Sequence, residues 1–158
     1  MRNIFIKLLL VLSLASSILL GASEENIIFS KKIDAKYNEK VYRKVTILFT
    51  EARLKLQKKY KKYLNFEYTT DYITAKKEVI KYLKEKNARY YVTLSIKEKK
   101  CKNGICNVQY NIKVVDGKKK KNITLKLKAK INNNEFTEIK PALIKSNTKK
   151  LVKFLKKR

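Results

Sequence analysis

Alternation of apolar and polar residues is the clearest pattern in the chain, and it occupies three segments of the second half. These segments cover residues 90–96, 108–114 and 123–131, with apolar residues at every second position. A period of two residues is typical of antiparallel strands that have one buried and one solvated face. Asp116 and Gly117 begin the turn between the last two segments. The pattern therefore predicts three consecutive antiparallel strands.

The first half of the chain contains a long stripe with helical spacing. From Tyr37 to Tyr63 an apolar residue recurs at every third or fourth position, which is the spacing of one face of an α-helix. Asp34 precedes the stripe and is placed to cap the amino end of this helix. Residues 45–49 are rich in β-branched side chains, so a strand there, or a break in the helix, stays open as an alternative.

A second helix is predicted just before the three strands. It begins with Thr70 or Asp71 as its cap and ends before Asn87, a residue that readily adopts the conformation of a C-terminal stop. Val79 and Leu83 lie four residues apart on its apolar face.

The last helix begins near Pro141, because proline fits the first turn of a helix. Its apolar residues between 144 and 155 form one stripe, which packs on the sheet in the preferred interpretation. The alternative is that residues 149–158 lie on an anionic membrane as a basic amphipathic helix.

Short apolar runs at residues 26–29 and 65–69 predict two further strands, which gives the order β-α-β-α-β-β-β-α. Because the long strands have one apolar face, we expect the helices to pack on that face. The predicted fold class is therefore α+β, a two-layer sandwich of a mainly antiparallel sheet with helices on one face. With no internal repeat or linker composition, residues 23–158 are expected to form a single domain.

Residues 1–22 have the three-part pattern of a secretory signal peptide. Arg2 and Lys7 supply the positive start, residues 8–20 form the apolar centre, and small residues follow. The uncharged stretch is shorter than the roughly 20 residues that a membrane-spanning helix needs. We expect cleavage after Ala22 or Ser23 and a periplasmic or secreted product, with an uncleaved signal anchor as the alternative.

The two cysteines of the chain, Cys101 and Cys106, flank the strong two-residue turn signal Asn103-Gly104. In an exported protein, cysteines at this spacing are expected to form a disulfide. A redox-active site is the alternative, but the common C-x-x-C motif has two residues between its cysteines, whereas four stand here. A structural staple is the preferred interpretation.

The turn and the apolar pattern of the strands predict different registers for this hairpin. A two-residue turn places Cys101 opposite Cys106, so that every odd-numbered residue pairs with an even-numbered one. The apolar faces of both strands are even-numbered, and a regular ladder with buried even faces needs even residues to pair with even ones. A β-bulge resolves the conflict, and we expect it around residues 98–100 or at Gly104.

Composition removes most kinds of catalytic site. The chain has no histidine, which excludes an imidazole base or ligand, and two cysteines are too few for a four-thiolate zinc site. After residue 22 the only glycines are Gly104 and Gly117, both in turns, so a phosphate-binding glycine loop is missing. We therefore expect no enzymatic activity, no cofactor, no metal site and no small-molecule substrate.

The chain carries 40 Lys and Arg residues against 13 Asp and Glu residues, a net charge of +27. Loss of Arg2 and Lys7 with the signal peptide leaves +25. Such a field attracts polyanions, although a lysine-rich composition also gives an ordinary solvated surface. Nucleic acid is not favoured, because Tyr91 is the only aromatic residue on the expected wet face. The candidate anion-binding residues are Lys113, Lys126, Lys128, Lys130, Lys118, Lys119, Lys120 and Lys121.

Several segments resemble a known family when they are taken in order. The run NIIF, a long helix, NFEYTT, a helix, NARYYVTLSI, paired strands, VVDGK and a terminal helix is similar to the TolB N-terminal type of domain. CsgG-like and LpoB-like envelope proteins of bacteria share that domain. In them a segment like ADYVVTGSV takes the place of residues 87–96, and a Y-D-x-x-G turn resembles residues 115–117. The resemblance implies a non-catalytic envelope protein that acts by protein–protein contact.

Two functional hypotheses follow for the exported chain. The first is an accessory protein of the cell envelope whose partner is an envelope protein not identified by the sequence. A contiguous exposed apolar patch on a helix or edge strand would support it. The second is an electrostatic binder of anionic lipid, lipopolysaccharide or another polyanion, and lysines clustered on one face would support that instead.

Overall fold

The computed structural model of the chain describes residues 24–33 and 35–156. The predicted signal peptide, the predicted cap at Asp34 and the last two residues lie outside these ranges. Six strands and three helices follow one another in the described part. They are β1 (Glu24–Ser30), α1 (Ala35–Tyr60), β2 (Tyr63–Thr69), α2 (Lys76–Glu85), β3 (Tyr90–Lys102), β4 (Ile105–Asp116), β5 (Lys121–Asn132), β6 (Glu135–Phe136) and α3 (Pro141–Lys156).

The strands form one mixed sheet in the order β2-β1-β3-β4-β5-β6. β1 runs parallel to β2 and to β3, and the remaining neighbours pair antiparallel. Parallel neighbours need a long crossover, which α1 and α2 provide. The α+β class, the mainly antiparallel sheet and the predicted order of elements are confirmed. The additional strand β6 was not predicted, because two residues are too few to show a period.

The main core lies between the inner face of the sheet and the helices α1 and α3. Side chains at every second position of the strands, such as Phe29, Val92 and Ile112, are buried there. They meet the apolar stripe of α1 and the inner side of α3, including Leu48 and Leu151, which are fully buried. This layer of two helices on the sheet confirms the predicted packing of the last helix.

Helix α1 is continuous from Ala35 to Tyr60. The strand alternative at residues 45–49 is therefore wrong, because Val45, Leu48 and Phe49 are all buried on one side of the helix. Burial of that stripe outweighs the preference of β-branched residues for strands. The helix also ends before Tyr63, which belongs to β2 rather than to the helical stripe.

Helix α2 corrects one part of the predicted arrangement, because it packs on the opposite face of the sheet. Its Val79 and Leu83 form a second apolar cluster with Ile28, Tyr91 and Val115. These three strand residues have the opposite parity to the main core, so the sheet is buried on both sides at this end. The expectation that all helices share one face holds for α1 and α3 only.

The bounds of α2 also differ from the prediction. The helix begins at Lys76, and its N-cap residue Ala75 provides no side-chain hydrogen bond. Asp71 instead closes a local turn, in which its backbone N–H donates to Oγ1 of Thr69 over 3.1 Å. Asn87 ends the helix as predicted, with a φ of 47° in the left-handed region.

The cysteine hairpin is confirmed in register. Cys101 lies opposite Cys106, the two form a disulfide, and the pairing shifts between Glu98 and Lys100 as a β-bulge. Asn103 and Gly104 both have positive φ, at 49° and 76°, as a type I′ turn requires. The bulge restores even-to-even pairing below the turn, so that Val92, Leu94 and their partners all face the main core.

Candidate functional site

Strand β2 forms one edge of the sheet. It pairs with β1 over seven residue pairs, from Glu24–Tyr63 to Ser30–Thr69, and it has no strand on its other side among the described residues. In a strand with one partner, about half of the backbone N–H and C=O groups point away from the sheet. β2 therefore presents unpaired backbone groups that a further strand could use.

A groove of about 720 Å³ runs beside this edge, between the first half of α1 and the end of β2. We call it the edge groove. Its residues are Lys31, Glu39, Tyr42, Arg43, Thr46, Ile47 and Tyr68. Ile47 and Tyr68 are 45% and 46% exposed, so the edge groove presents apolar surface.

Aromatic packing fixes the position of Tyr68 at the groove. Its ring lies 5.5 Å from the ring of Phe29, which in turn contacts the rings of Phe49 and Phe66 at 4.8 Å and 5.6 Å. Lys31 places its ammonium group 5.0 Å from the Tyr68 ring centre. Tyr68 is thus held on one side by the core and leaves its other side open to the groove.

Tyr42 adds a polar group to the edge groove. Its hydroxyl oxygen is buried and has no hydrogen-bond partner among the described residues. Burial raises the pKa of this hydroxyl well above its ordinary value, so it stays protonated and can donate. A buried donor without an acceptor is destabilising.

The outer face of β3, β4 and β5 carries four of the eight predicted anion-binding lysines. On the part of this face that α2 leaves uncovered, residues paired across the three strands form four rows. The rows are Thr93–Lys113–Thr124, Ser95–Asn111–Lys126, Lys97–Gln109–Lys128 and Lys100–Asn107–Lys130. None of these side chains is acidic. We call the six lysines in these rows the lysine face. Lys97 and Lys100 belong to it, although they were not among the anion-binding residues predicted from the sequence.

The structure separates the predicted lysines into two groups. Lys113, Lys126, Lys128 and Lys130 share the lysine face, whereas residues 118–121 form the turn and first position at the other end of β5. Lys121 lies five positions before Lys126 in β5, a distance of about 17 Å along the strand. The turn lysines therefore do not join the lysine face, and Lys113 is partly engaged, since its Nζ donates to the Thr74 carbonyl over 3.3 Å.

The sequence analysis missed a buried cluster of charges at the end of the sheet where β1, β2 and β3 begin and β4 ends. Arg89 donates from Nε and Nη2 to both carboxylate oxygens of Asp116, at 3.3 Å and 3.1 Å, and its Nη1 pairs with Glu25. Lys62 Nζ lies 2.8 Å from the second oxygen of Glu25. Two cations thus face two anions, all nearly buried. The cluster ties β1, β3, β4 and the start of β2 together, and its charges compensate one another.

Burial and pairing act oppositely on the cations of this cluster. Burial tends to lower the pKa of Arg89, and its ion pairs with Asp116 and Glu25 more than offset this, so the guanidinium stays charged. Burial lowers the pKa of Lys62, against the effect of Glu25. The hydroxyl of Tyr90 accepts a hydrogen bond from Lys62 over 3.1 Å, and burial raises the pKa of this hydroxyl.

Alkaline titration tests the raised pKa values of Tyr42 and Tyr90. Because burial raises the pKa of Tyr42 and Tyr90 above the ordinary value of 10.0, the unfolded chain releases protons that the folded chain keeps. This contribution to stability is present below about pH 10 and is lost as the pH rises further. We expect tyrosinate absorbance to stay incomplete until circular dichroism reports unfolding. Complete ionisation near the ordinary value in a folded chain would contradict the burial.

A cluster of metal-ligand types lies at the cysteine hairpin. Suitable atoms of Glu98, Cys101 and Cys106 are within 4.8 Å of one another. Both sulfurs are joined in the disulfide, however, and a disulfide provides no thiolate ligand. The arrangement therefore serves as a covalent staple of the hairpin in this oxidised form.

Comparisons with known proteins give a weak resemblance of fold. No protein-family model matches the chain, and no curated protein sequence matches it. The PelC dodecamer of Paraburkholderia phytofirmans is 10% identical with a TM-score of 0.37, covering 81% of each chain. Lipoprotein GNA1162 of Neisseria meningitidis is 8% identical with a TM-score of 0.39, covering 83% of this chain and 97% of that chain. Values at this level describe fold alone.

The hypothetical protein CT253 of Chlamydia trachomatis is a further neighbour, 12% identical with a TM-score of 0.34, over 68% of this chain and 71% of its own. These neighbours, a lipoprotein among them, show only a weak similarity of fold to the chain. Among the described residues, no helix has both the length and the apolar character needed to span a membrane.

Proposed function

We propose that the chain is an exported, non-catalytic binding protein of the cell envelope, in the periplasm or outside the cell, that acts through protein–protein contacts. The free edge of β2 beside the edge groove is the observation that carries this proposal. Export rests on the signal-peptide pattern of residues 1–22. Unpaired backbone groups and exposed apolar side chains meet at this one surface, which is the combination that an extended partner segment needs.

The partner is a protein segment that adds a strand to β2. Side chains alternate along a strand, so every second residue of the added segment faces the layer of α1 and enters the edge groove. Ile47 and Tyr68 favour apolar side chains there. Lys31, Glu39 and Arg43 around the groove carry mixed charge and favour a polar rim on the partner.

The buried carboxylates belong to a structural ion-pair cluster. Glu25 and Asp116 are the acidic side chains below one-tenth exposure in the described part of the chain, and both are held by Arg89. A general acid or base must exchange its proton with a substrate, whereas these groups are committed to ion pairs. Their arrangement is that of a structural cluster.

A second candidate function is electrostatic binding of anionic lipid, lipopolysaccharide or another polyanion. The lysine face favours it, because six lysines share one surface without an acidic side chain in the same rows. Such binding would be weakened by salt, whereas strand addition with apolar contacts would resist it.

Retention of an envelope protein on the mature chain, residues 23–158, tests the proposed function. We expect the wild type to retain a specific protein at high salt and Ile47→Glu to lose it, because a carboxylate in the edge groove would be desolvated by the partner. Leu54→Glu is the matched control, since Leu54 is 54% exposed on the same helix and outside the groove. Equal retention by the wild type and Ile47→Glu would contradict the proposal.

A further inference from the structure

We infer that the lysine face is a docking surface for an anionic lipid bilayer. This inference rests on the second candidate function and is independent of the edge groove. Its first basis is spacing: Lys126, Lys128 and Lys130 occupy alternate positions of β5 and project from the same side. Neighbours of this kind are about 7 Å apart along a strand. A rigid sheet thus holds a regular line of ammonium groups.

Among the described residues, no carboxylate neutralises the charge of this surface. Lys126, Lys128 and Lys130 are exposed, and none of the lysine-face residues forms an ion pair with a carboxylate in residues 24–33 and 35–156. Uncharged Ser95, Asn107 and Asn111 lie between the lysines. Anionic headgroups attract such surface lysines, and each lysine near the bilayer contributes roughly a fivefold factor in affinity.

The shape of the lysine face favours a bilayer over a polymer chain as its ligand. Grooves lie beside α1, α2 and the β4–β5 turn, and these grooves are not lined by Lys97, Lys126, Lys128 or Lys130. Proteins that bind single polyanionic chains commonly track them in a basic groove with aromatic platforms. A plane of phosphate groups instead matches an open sheet surface.

An apolar side chain stands at the end of the lysine face. Ile105, the residue after the Asn103-Gly104 turn, is 40% exposed and pairs with Lys102 across the hairpin. The Cys101–Cys106 disulfide holds this tip in place. An exposed apolar residue beside lysines is suited to the boundary between headgroups and acyl chains, where it adds to electrostatic attraction. Ile105 therefore favours lipid over a water-soluble polyanion.

Sedimentation with lipid vesicles tests the inference on the intact mature chain. We expect binding to vesicles of phosphatidylcholine mixed with phosphatidylglycerol and little binding to phosphatidylcholine alone. The triple variant Lys126→Gln, Lys128→Gln, Lys130→Gln should bind the mixed vesicles about a hundredfold more weakly. Circular dichroism of the variant checks that the fold is kept. Wild-type binding to both vesicle types alike would overturn the inference.

The matched control removes the same charge from another surface. Lys145, Lys149 and Lys153 are exposed at four-residue spacing on α3, so they share one side of that helix. Replacing these three by Gln should leave most of the vesicle binding in place. An equal or larger loss in this control would overturn the inference and favour α3, or net charge, as the binding determinant.

Two more arms separate the remaining outcomes. Ile105→Ser should weaken the part of vesicle binding that resists salt, and an unchanged salt profile would contradict the role of the tip. Dextran sulfate serves as a soluble competitor at the same concentration of negative charge as the vesicles. If it displaces the wild type from the vesicles, the lysine face binds a soluble polyanion and the inference is overturned. Ile47→Glu should leave vesicle binding unchanged, so failure of the strand-docking proposal is distinguishable from failure here.

Discussion

Replacing Arg89 with methionine should lower the free energy of unfolding by about 3–5 kcal/mol. Methionine keeps much of the volume but leaves Glu25 and Asp116 buried with Lys62 as their one remaining cation in the cluster. An uncompensated buried carboxylate is far more costly than a lost surface ion pair. Urea unfolding, followed by circular dichroism, measures the effect on the mature chain.

The matched control is Arg43→Met. Arg43 pairs with Glu39 one turn away on α1, and both side chains are about three-quarters exposed, at 75% and 77%. Water and salt screen such a pair, so its loss should have little effect on the unfolding midpoint. If the two arginine variants unfolded at the same urea concentration, the buried cluster would not be a stabilising element of the fold.

Replacing Tyr91 with alanine should also lower the free energy of unfolding by about 3–5 kcal/mol, the range for removing a large buried aromatic side chain. Tyr91 is 1% exposed beneath α2, where its ring packs against Tyr82. Its hydroxyl donates to the Asp71 carbonyl over 2.7 Å and accepts from the Ile73 N–H over 3.2 Å. Alanine removes the packing and leaves both backbone groups without this partner.

Ser95→Ala is the comparison for Tyr91→Ala, because Ser95 lies four residues along the same strand on the same face and is exposed. We expect almost no change in the unfolding free energy for Ser95→Ala. A similarly small effect of Tyr91→Ala would mean that the outer face is solvated at this end of the sheet and that α2 does not cover it.

Local patterns made the antiparallel half of the fold predictable. The parity of Tyr90, Val92 and Leu94 set the buried face of β3, and the Asn103-Gly104 turn set the pairing of Cys101 with Cys106. Both are properties of residues close together in sequence, so the conflict between the two registers and the bulge that resolves it could be predicted from the sequence. The structure places that bulge between Glu98 and Lys100.

The position of α2 needed a relation between distant strands. Tyr91 was assigned to the wet face, whereas Ile28 belonged to a short apolar run and Val115 followed the alternating segment 108–114. Only the pairing of β1 with β3 and of β3 with β4 brings the three together. Their shared parity at one end was the signal that could have located a second apolar cluster.

The buried charges and the edge groove could not be predicted for a similar reason. Glu25 and Arg89 are 64 residues apart in sequence, and charge type alone does not say which of many lysines and arginines a carboxylate will meet. The groove depends on how α1 lies against the edge of the sheet, so that Ile47 and Tyr68 approach each other. The lysine face was easier to predict from the sequence, because strand periodicity already placed Lys126, Lys128 and Lys130 on one side.

Site-specific photo-crosslinking in cells that naturally produce the chain tests the central claim, that a protein segment docks at β2. A benzophenone amino acid at Tyr68 keeps an aromatic ring at the edge groove, whereas the same group at Leu54 or at Lys128 reports on other exposed surfaces. The proposal predicts one discrete protein adduct from position 68 and none from positions 54 and 128. Protein adducts from position 54 or 128 with none from position 68 would contradict it.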